Sequence, residues 1–236
     1  MSLTRGDLER DRVRQELALT PLGPHMLTEA EMQESLWQIL QEAEPGVDPW
    51  IFGYGSLVWN PLFHFEERRV VTTHGYHRSF CLWSRINRGT LDRPGLVLGL
   101  DRGGRCRGVA YRIAGDHAEN ELRLIWRREM LLGAYIPRWV QVSDGVSKFR
   151  AIAFTINRAG PAYAGRLPPE TIIERLMTCH GRLGPGIDYL LHTAEALLAC
   201  GIDDRHLREL CDLAHAIKAR EQSGAAPQIQ EAGSEL

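Results

Sequence analysis

The sequence predicts an α+β fold: a curved sheet or barrel with helices packed around it. Three observations carry this expectation. Residues 50–157 read mostly as short strands, one long helical segment interrupts them near 118–132, and the chain beyond Arg166 returns to helical spacing.

Taken in order, residues 1–49 hold two helical stretches, GDLERDRVRQELAL and TEAEMQESLWQILQEAE, separated by TPLGPH. Thr28 followed by Glu31 is a capping-box signature, and Glu44-Pro45-Gly46 is a stop. This segment is expected to be an N-terminal helical extension to a domain spanning 50–220. In that domain, RVVTTHGYHRSFCLW and PGLVLGL are rich in β-branched and aromatic residues. Asp101-Arg102-Gly103-Gly104 reads as a turn, with CRGVAYRI as the returning strand. WVQVSDGVSKFRAIAFTI reads as a second hairpin around Ser143-Asp144-Gly145. The helix near 118–132 is expected to start from Asp116 as N-cap and to end at Gly133. PPETIIERLMTC starts a helix at Pro168-Pro169, where proline is tolerated. DYLLHTAEALLAC, closed by Gly201, and DDRHLRELCDLAHAIKARE follow. Residues 221–236 are polar and Gly/Ala-rich, and are expected to be disordered.

Composition excludes several function classes. Twenty-eight basic and thirty acidic residues give a net charge of −2, so no basic excess argues for nucleic acid or a membrane surface. No run approaches the apolar length of a membrane span, and the charged N-terminus lacks the apolar region of a secretory signal. Cys81, Cys106, Cys179, Cys200 and Cys211 are odd in number, far apart and free of CxxC pairing. A disulfide framework or zinc site is not expected, and the expected compartment is the reducing cytoplasm.

The segment WIFGYGSLVW, residues 50–59, begins as a buried strand and is then broken by Gly53, Gly55 and Ser56. Glycines allow close backbone approach and φ > 0, and successive N–H groups in such a turn form an anion-binding concavity. A phosphate loop would need GxxxxGK[ST], a dinucleotide fingerprint a third glycine, and a nucleophile elbow GxSxG; Val58 breaks the last. Two readings remain, a small carboxylate cradle or an ordinary turn in a strand.

On a helical wheel, Ala118, Leu122, Ile125, Trp126 and Leu132 gather on one side of the 118–132 helix, with Glu121 and Arg128 flanking it. Glu129 falls in the middle of this apolar side. A carboxylate there must be paired with an arginine, protonated, or functional, because burying an unpaired charge costs several kcal/mol. A raised carboxylate pKa is what acid–base work near neutral pH requires.

Other residues read more plainly. Arg78, in HGYHRSF, is either a structural strand arginine or a partner for a substrate carboxylate or Glu129. No histidines stand at ligand spacing, and His180 and His192 read as helix-end or surface residues. Cys179 and Cys200 read as small core residues on helical faces, and Trp83 and Trp126 as core.

Taken together, the chain resembles the ChaC family of γ-glutamylcyclotransferases. The resemblance is carried by FGYGSLVW (52–59), the RGTxxxPG pattern at 88–95, GVAYR (108–112), REMLLGAY (128–135), Tyr163-Ala164-Gly165, the GxGPGIDYLL-like segment at 181–191 and GIDDRHL (201–207). It runs from about residue 50 to 210. It implies a γ-glutamylcyclotransferase-like mixed β-barrel with surrounding helices. It also implies cleavage of glutathione to 5-oxoproline and Cys-Gly by intramolecular aminolysis, with no cofactor or metal. The family's catalytic glutamate matches Glu129, as general acid/base. The substrate-binding loop matches Gly53, Tyr54, Gly55, Ser56 and Leu57, and Tyr163 is a further candidate for lining the pocket. Two alternatives stay open: a cyclotransferase for other γ-glutamyl compounds, and a non-catalytic regulator associated with cation transport. The oligomeric state is not implied.

Overall fold

Two 18-residue strands, β2 (Glu67–Ser84) and β3 (Gly95–Arg112), pair antiparallel along nearly their whole length and form the largest part of the sheet. They belong to a computed structural model that describes residues 3–222. β1 (Trp50–Gly53) pairs antiparallel with β3, and β4 (Tyr135–Ser143) pairs with both β2 and β5 (Lys148–Ile156). Parallel contacts from β5 back to β1 and β3 close the barrel, in the order β1-β3-β2-β4-β5. The expected mixed barrel is therefore present.

The long β3 corrects one expectation. Asp101–Gly104 is no hairpin turn: the strand runs through it, and the chain reverses between Ser84 and Gly95 instead. Gly103 and Gly104, at φ +99° and +69°, stand opposite the single residue Gly75, at φ +84°. This is a bulge with two residues against one. In sequence, left-handed glycines look the same whether they bend a strand or end it. The second hairpin forms where expected, between Ser143 and Lys148.

Successive buried side chains of β1 and β5 alternate between two cores, as a pleat requires. Trp50 and Phe52 join Val140, Val142, Ala151 and Ala153 in one cluster made of strand residues. Ile51, Leu98, Ile152 and Phe154 turn the other way, into a larger core that the helices complete. These helices are α3 (Glu29–Gln41), α4 (Ser56–Trp59), α5 (Ala118–Glu129), α6 (Pro169–Thr178), α7 (Gly186–Ala199) and α8 (Arg205–Gln222). α6 starts at Pro169 as expected. Between α6 and α7 lies a small hairpin of β6 (His180–Gly181) and β7 (Gly184–Pro185). Glu221 and Gln222 close α8; the rest of the expected tail lies outside the described residues.

The N-terminal segment packs on the barrel's helices. α1 (Arg5–Glu9) and α2 (Arg12–Ala18) precede α3, whose Thr28–Glu31 capping box forms as expected. Met32, Leu36 and Ile39 of α3 enter the same core as Leu122, Ile125 and Trp126 of α5. From α1, Arg5 makes a two-pronged contact with the Glu121 carboxylate, at 2.6 and 2.9 Å. Glu121, which the helical wheel set at the flank of the apolar side, is consequently buried. α5 also enters differently from expectation. A turn closed by His117 N–H on the Ala114 carbonyl leads into it, so His117 takes the N-cap position and Asp116 stays inside the turn.

Candidate active site

Glu129 is the last residue of α5, three residues earlier than the predicted helix end. Its side chain is only 12% exposed and lines a tight cleft with Tyr54, Gly55, Ser56, Leu57, Leu98, Phe154 and Tyr189. Burial pushes the Glu129 carboxyl above its ordinary value, and the Arg128 guanidinium partly offsets that. The position at a helix C-terminus disfavours the carboxylate further. A carboxyl raised in this way holds a proton more readily than a solvated one does.

Arg128 joins the carboxylate to the glycine loop. Its Nε lies 2.9 Å from Glu129 Oε1, one terminal nitrogen donates to Ser56 Oγ at 2.8 Å, and the other donates to the Asn60 carbonyl. The arginine partner allowed by the wheel is therefore its own neighbour, and of the pair it is Glu129 that lines the cleft.

Sequence reading brings Gly55, Ser56, Leu57, Tyr54 and Glu129 to one place, and the structure sets all of them on the cleft wall. Gly53 sits just behind, ending β1 against Val109. Neither Gly53 nor Gly55 adopts a positive φ, so the expected backbone freedom is not their use here. Close approach is: a Cβ on Gly55 would stand 2.9 Å from the Tyr189 hydroxyl. Ser56 and Leu57 open α4, where first-turn N–H groups have no carbonyl behind them. Tyr54 Oη donates to the Phe154 carbonyl at 2.7 Å, tying the loop to β5.

Tyr163 is placed elsewhere. Its hydroxyl donates to Asp101 at 2.9 Å, beside Arg158, and it does not line the cleft. Arg78 does not pair with Glu129; it is buried against backbone carbonyls and Asp204. His192 stacks on Trp59 at 5.5 Å, and Cys179 caps α6 rather than lying on its face. Trp126 is core, packed on Phe154.

Sequence reading missed Arg128, Tyr135, Tyr189, Leu98 and Phe154. Tyr189 accepts from Leu98 N–H at 3.4 Å, and Tyr135 donates to the Leu98 carbonyl at 3.5 Å. Burial first, and then the Glu129 carboxylate, raise the Tyr135 phenol; burial pushes Tyr189 up to about 12. Both phenols therefore stay protonated as donors over the neutral range. Their only signal in sequence was membership of REMLLGAY and the 181–191 segment.

The cleft encloses about 20 Å³, room for a single water, so a larger ligand must part its side chains. A wider hollow of about 350 Å³ lies between Thr20, Leu22, Arg85, Leu91 and Arg182, but no carboxylate lines it. Of the two, the smaller space is the one lined by a carboxylate, Glu129. Among the described residues no cluster of metal-ligating side chains forms, and no helix is long and apolar enough to cross a membrane.

A family model described as ChaC-like protein matches residues 49–218. The chain belongs to the ChaC family. Among its ChaC relatives, the glutathione-specific gamma-glutamylcyclotransferase of Escherichia coli (strain K12) is 37% identical over 187 residues, covering 78% of this chain and 81% of that protein. Glutathione-specific gamma-glutamylcyclotransferase 1 of Rattus norvegicus is 32% identical over 207 residues, 85% of this chain and 91% of its own. A crystal structure of a selenomethionine-labelled γ-glutamyl cyclotransferase specific to glutathione from yeast superimposes with a TM-score of 0.66 at 20% identity, covering 72% of this chain and 97% of that one. That likeness shows a shared fold.

Proposed function

We propose that this ChaC chain is a γ-glutamylcyclotransferase that cleaves glutathione to 5-oxoproline and Cys-Gly. The observation that carries the reading is Glu129: a nearly buried carboxyl with a raised pKa, facing the Gly55–Leu57 loop across one cleft. The relatives' names supply the substrate.

In this reading the γ-glutamyl end lies against the loop, with the Ser56 and Leu57 N–H groups toward its oxygens. The α-amine attacks its own γ-carbonyl carbon. One C–N bond forms, closing a five-membered lactam, and the bond to the cysteinyl nitrogen breaks. The attacking ammonium sheds two protons on its way to the lactam N–H, and the leaving nitrogen gains two on its way to the Cys-Gly ammonium. Glu129 takes each from the first and delivers it to the second, so the reaction consumes no water and no net proton. Loop donors stabilise the oxygen as it gains charge, an effect that is often the largest catalytic term. Holding the glutamyl group folded for attack adds an orientation contribution. Burial of Glu129 keeps its basicity close to what the transfer needs.

The test is a substrate panel. Purified protein is incubated with glutathione, γ-Glu-Ala and γ-glutamyl-ε-lysine, and 5-oxoproline is quantified. Product from glutathione above the others is the expected result. Product only from the others moves the substrate to other γ-glutamyl compounds. No product from any of them contradicts both enzyme readings and favours a non-catalytic regulator. Fractionation of the source cells is expected to place the protein in the cytoplasm.

A further inference from the structure

Arg78, on β2, is a buried cation that the acid–base chemistry leaves unused: its side chain is only 4% exposed. Its guanidinium meets three acceptors. Nε donates to the Tyr54 carbonyl at 2.5 Å, one terminal nitrogen donates to the Arg107 carbonyl at 2.6 Å, and the other pairs with the Asp204 carboxylate. Asp204 in turn accepts from Leu207 N–H at the start of α8.

The Tyr54 carbonyl is one half of the Tyr54–Gly55 peptide. That peptide is trans, so its N–H points opposite to its C=O. The carbonyl is fixed on Arg78, which does not line the cleft, whereas Gly55 does. Among the described residues, the Gly55 N–H makes no hydrogen bond. Tyr54 is also held at its far end by the Phe154 carbonyl, so the peptide plane has little freedom to turn.

We infer that Arg78 is a positioning residue: by gripping the Tyr54 carbonyl from behind, it aims the Gly55 N–H into the cleft as a donor to the substrate's γ-carbonyl oxygen as that oxygen gains charge. The inference rests on the proposed cyclotransferase reading. A cation on the carbonyl also polarises the peptide, and so strengthens the N–H as a donor. Lysine could not substitute for it, because an ammonium on a flexible stem cannot span three acceptors set in a fork.

Two arms test this. In the first, Arg78→Lys and Asp204→Asn are compared for kcat, KM and Tm with glutathione. Both weaken the tie between β2 and α8, but only the first removes the forked grip on the Tyr54 carbonyl. Arg78→Lys is expected to lower kcat at least tenfold with KM changed less than threefold, whereas Asp204→Asn lowers kcat less than threefold at a comparable loss of Tm. A folded Arg78→Lys protein with wild-type kcat, or two variants whose kcat falls in parallel with Tm, would overturn the inference. The second arm covers an Arg78 variant that fails to fold. The amide ¹⁵N–¹H signal of Gly55 is followed while glutathione is added to the Glu129→Gln protein. A downfield proton shift at saturation is expected; an unmoved Gly55 signal with glutathione bound overturns the inference. Wild-type protein that releases no 5-oxoproline would instead overturn the proposed function, and this inference with it.

Discussion

Arg128 and Glu129 are consecutive in the chain, and Nε of the first lies 2.9 Å from Oε1 of the second. Neighbours on a helix normally point apart. Here the helix ends at Glu129, whose side chain lines the cleft while the Arg128 guanidinium turns back to meet it. The pair sets two opposed influences on the carboxyl: burial raises its pKa and the guanidinium lowers it.

Removing the cation therefore has a definite sign. In Arg128→Met the carboxylate loses its counter-charge, and its pKa rises further. The acid limb of kcat/KM against pH is expected to move upward, by roughly one pH unit for a partner at this distance. An unmoved or lowered acid limb would show that Glu129 is not the group titrating there.

The same carboxyl links stability to pH. Its folded pKa lies above the ordinary 4.5, so the folded state binds the proton more tightly than the unfolded chain. That contribution is fully present below about 4.5 and is lost as pH rises through the folded value. Glu129→Gln cannot titrate. Its Tm relative to wild type is expected to shift in its favour as pH rises from 4.5 toward neutrality, whatever the offset at acid pH. A flat difference across that window contradicts the raised pKa.

Ser56 gives a sharper contrast. Its hydroxyl accepts from Arg128 at 2.8 Å, and its place in the proposed chemistry is the backbone N–H. Ser56→Ala is expected to lower kcat/KM by at most about a hundredfold, since one hydrogen bond to a charged group, about 1.5–3 kcal/mol, is lost. A loss of three orders of magnitude or more, measured as 5-oxoproline release, would assign the hydroxyl a nucleophilic role.

Gly55 faces Tyr189 closely enough that a Cβ would stand 2.9 Å from the phenol oxygen. Gly55→Ala is expected to fold but to lose at least about tenfold in kcat/KM. Adding Tyr189→Phe removes the atom in the way, so the double variant should lose less than the product of the two single losses. Such non-additivity is the mark of direct contact. Additive effects would separate the two residues.

Two turns before Glu129 on α5, Glu121 is 4% exposed, held by Arg5 and by the His64 N–H. Arg5→Met leaves a buried carboxylate with fewer partners. Discounted for the partial exposure of Arg5, about 1–3 kcal/mol of stability is expected to be lost, read by urea unfolding. Turnover should change little in the folded protein, because neither Arg5 nor Glu121 lines the cleft. Equal stability would show that the N-terminal segment does not brace α5.

How far these features were legible in the sequence depended on range. The barrel hairpin at Ser143–Lys148 and the capping box at Thr28 are local, and local pattern found both. Glu129 was legible because a charge on an apolar stripe is costly wherever the stripe packs. The bulge at Gly103-Gly104 was misread, because the residues that bend a strand also end one. Glu121 read only as a flank of the stripe, because the groups that complete its burial, Arg5 and the His64 N–H, are distant in sequence. Tyr189 and Tyr135 had no local signal: each meets the cleft through the backbone of Leu98, which is distant in sequence from both. Tyr163 followed its motif in the resemblance, while its hydroxyl found Asp101 through the isolated bridge between Leu82 and Tyr163.

The central claim is that Glu129 moves the protons while the loop holds the γ-glutamyl group. Its most direct test is the Glu129→Gln protein, measured twice: 5-oxoproline release from glutathione, and glutathione binding by calorimetry. Turnover is expected to fall by at least about a thousandfold, within the range of acid–base and electrostatic effects combined, with the dissociation constant changed less than about fivefold. Turnover within tenfold of wild type would remove Glu129 as the acid–base group and contradict the account.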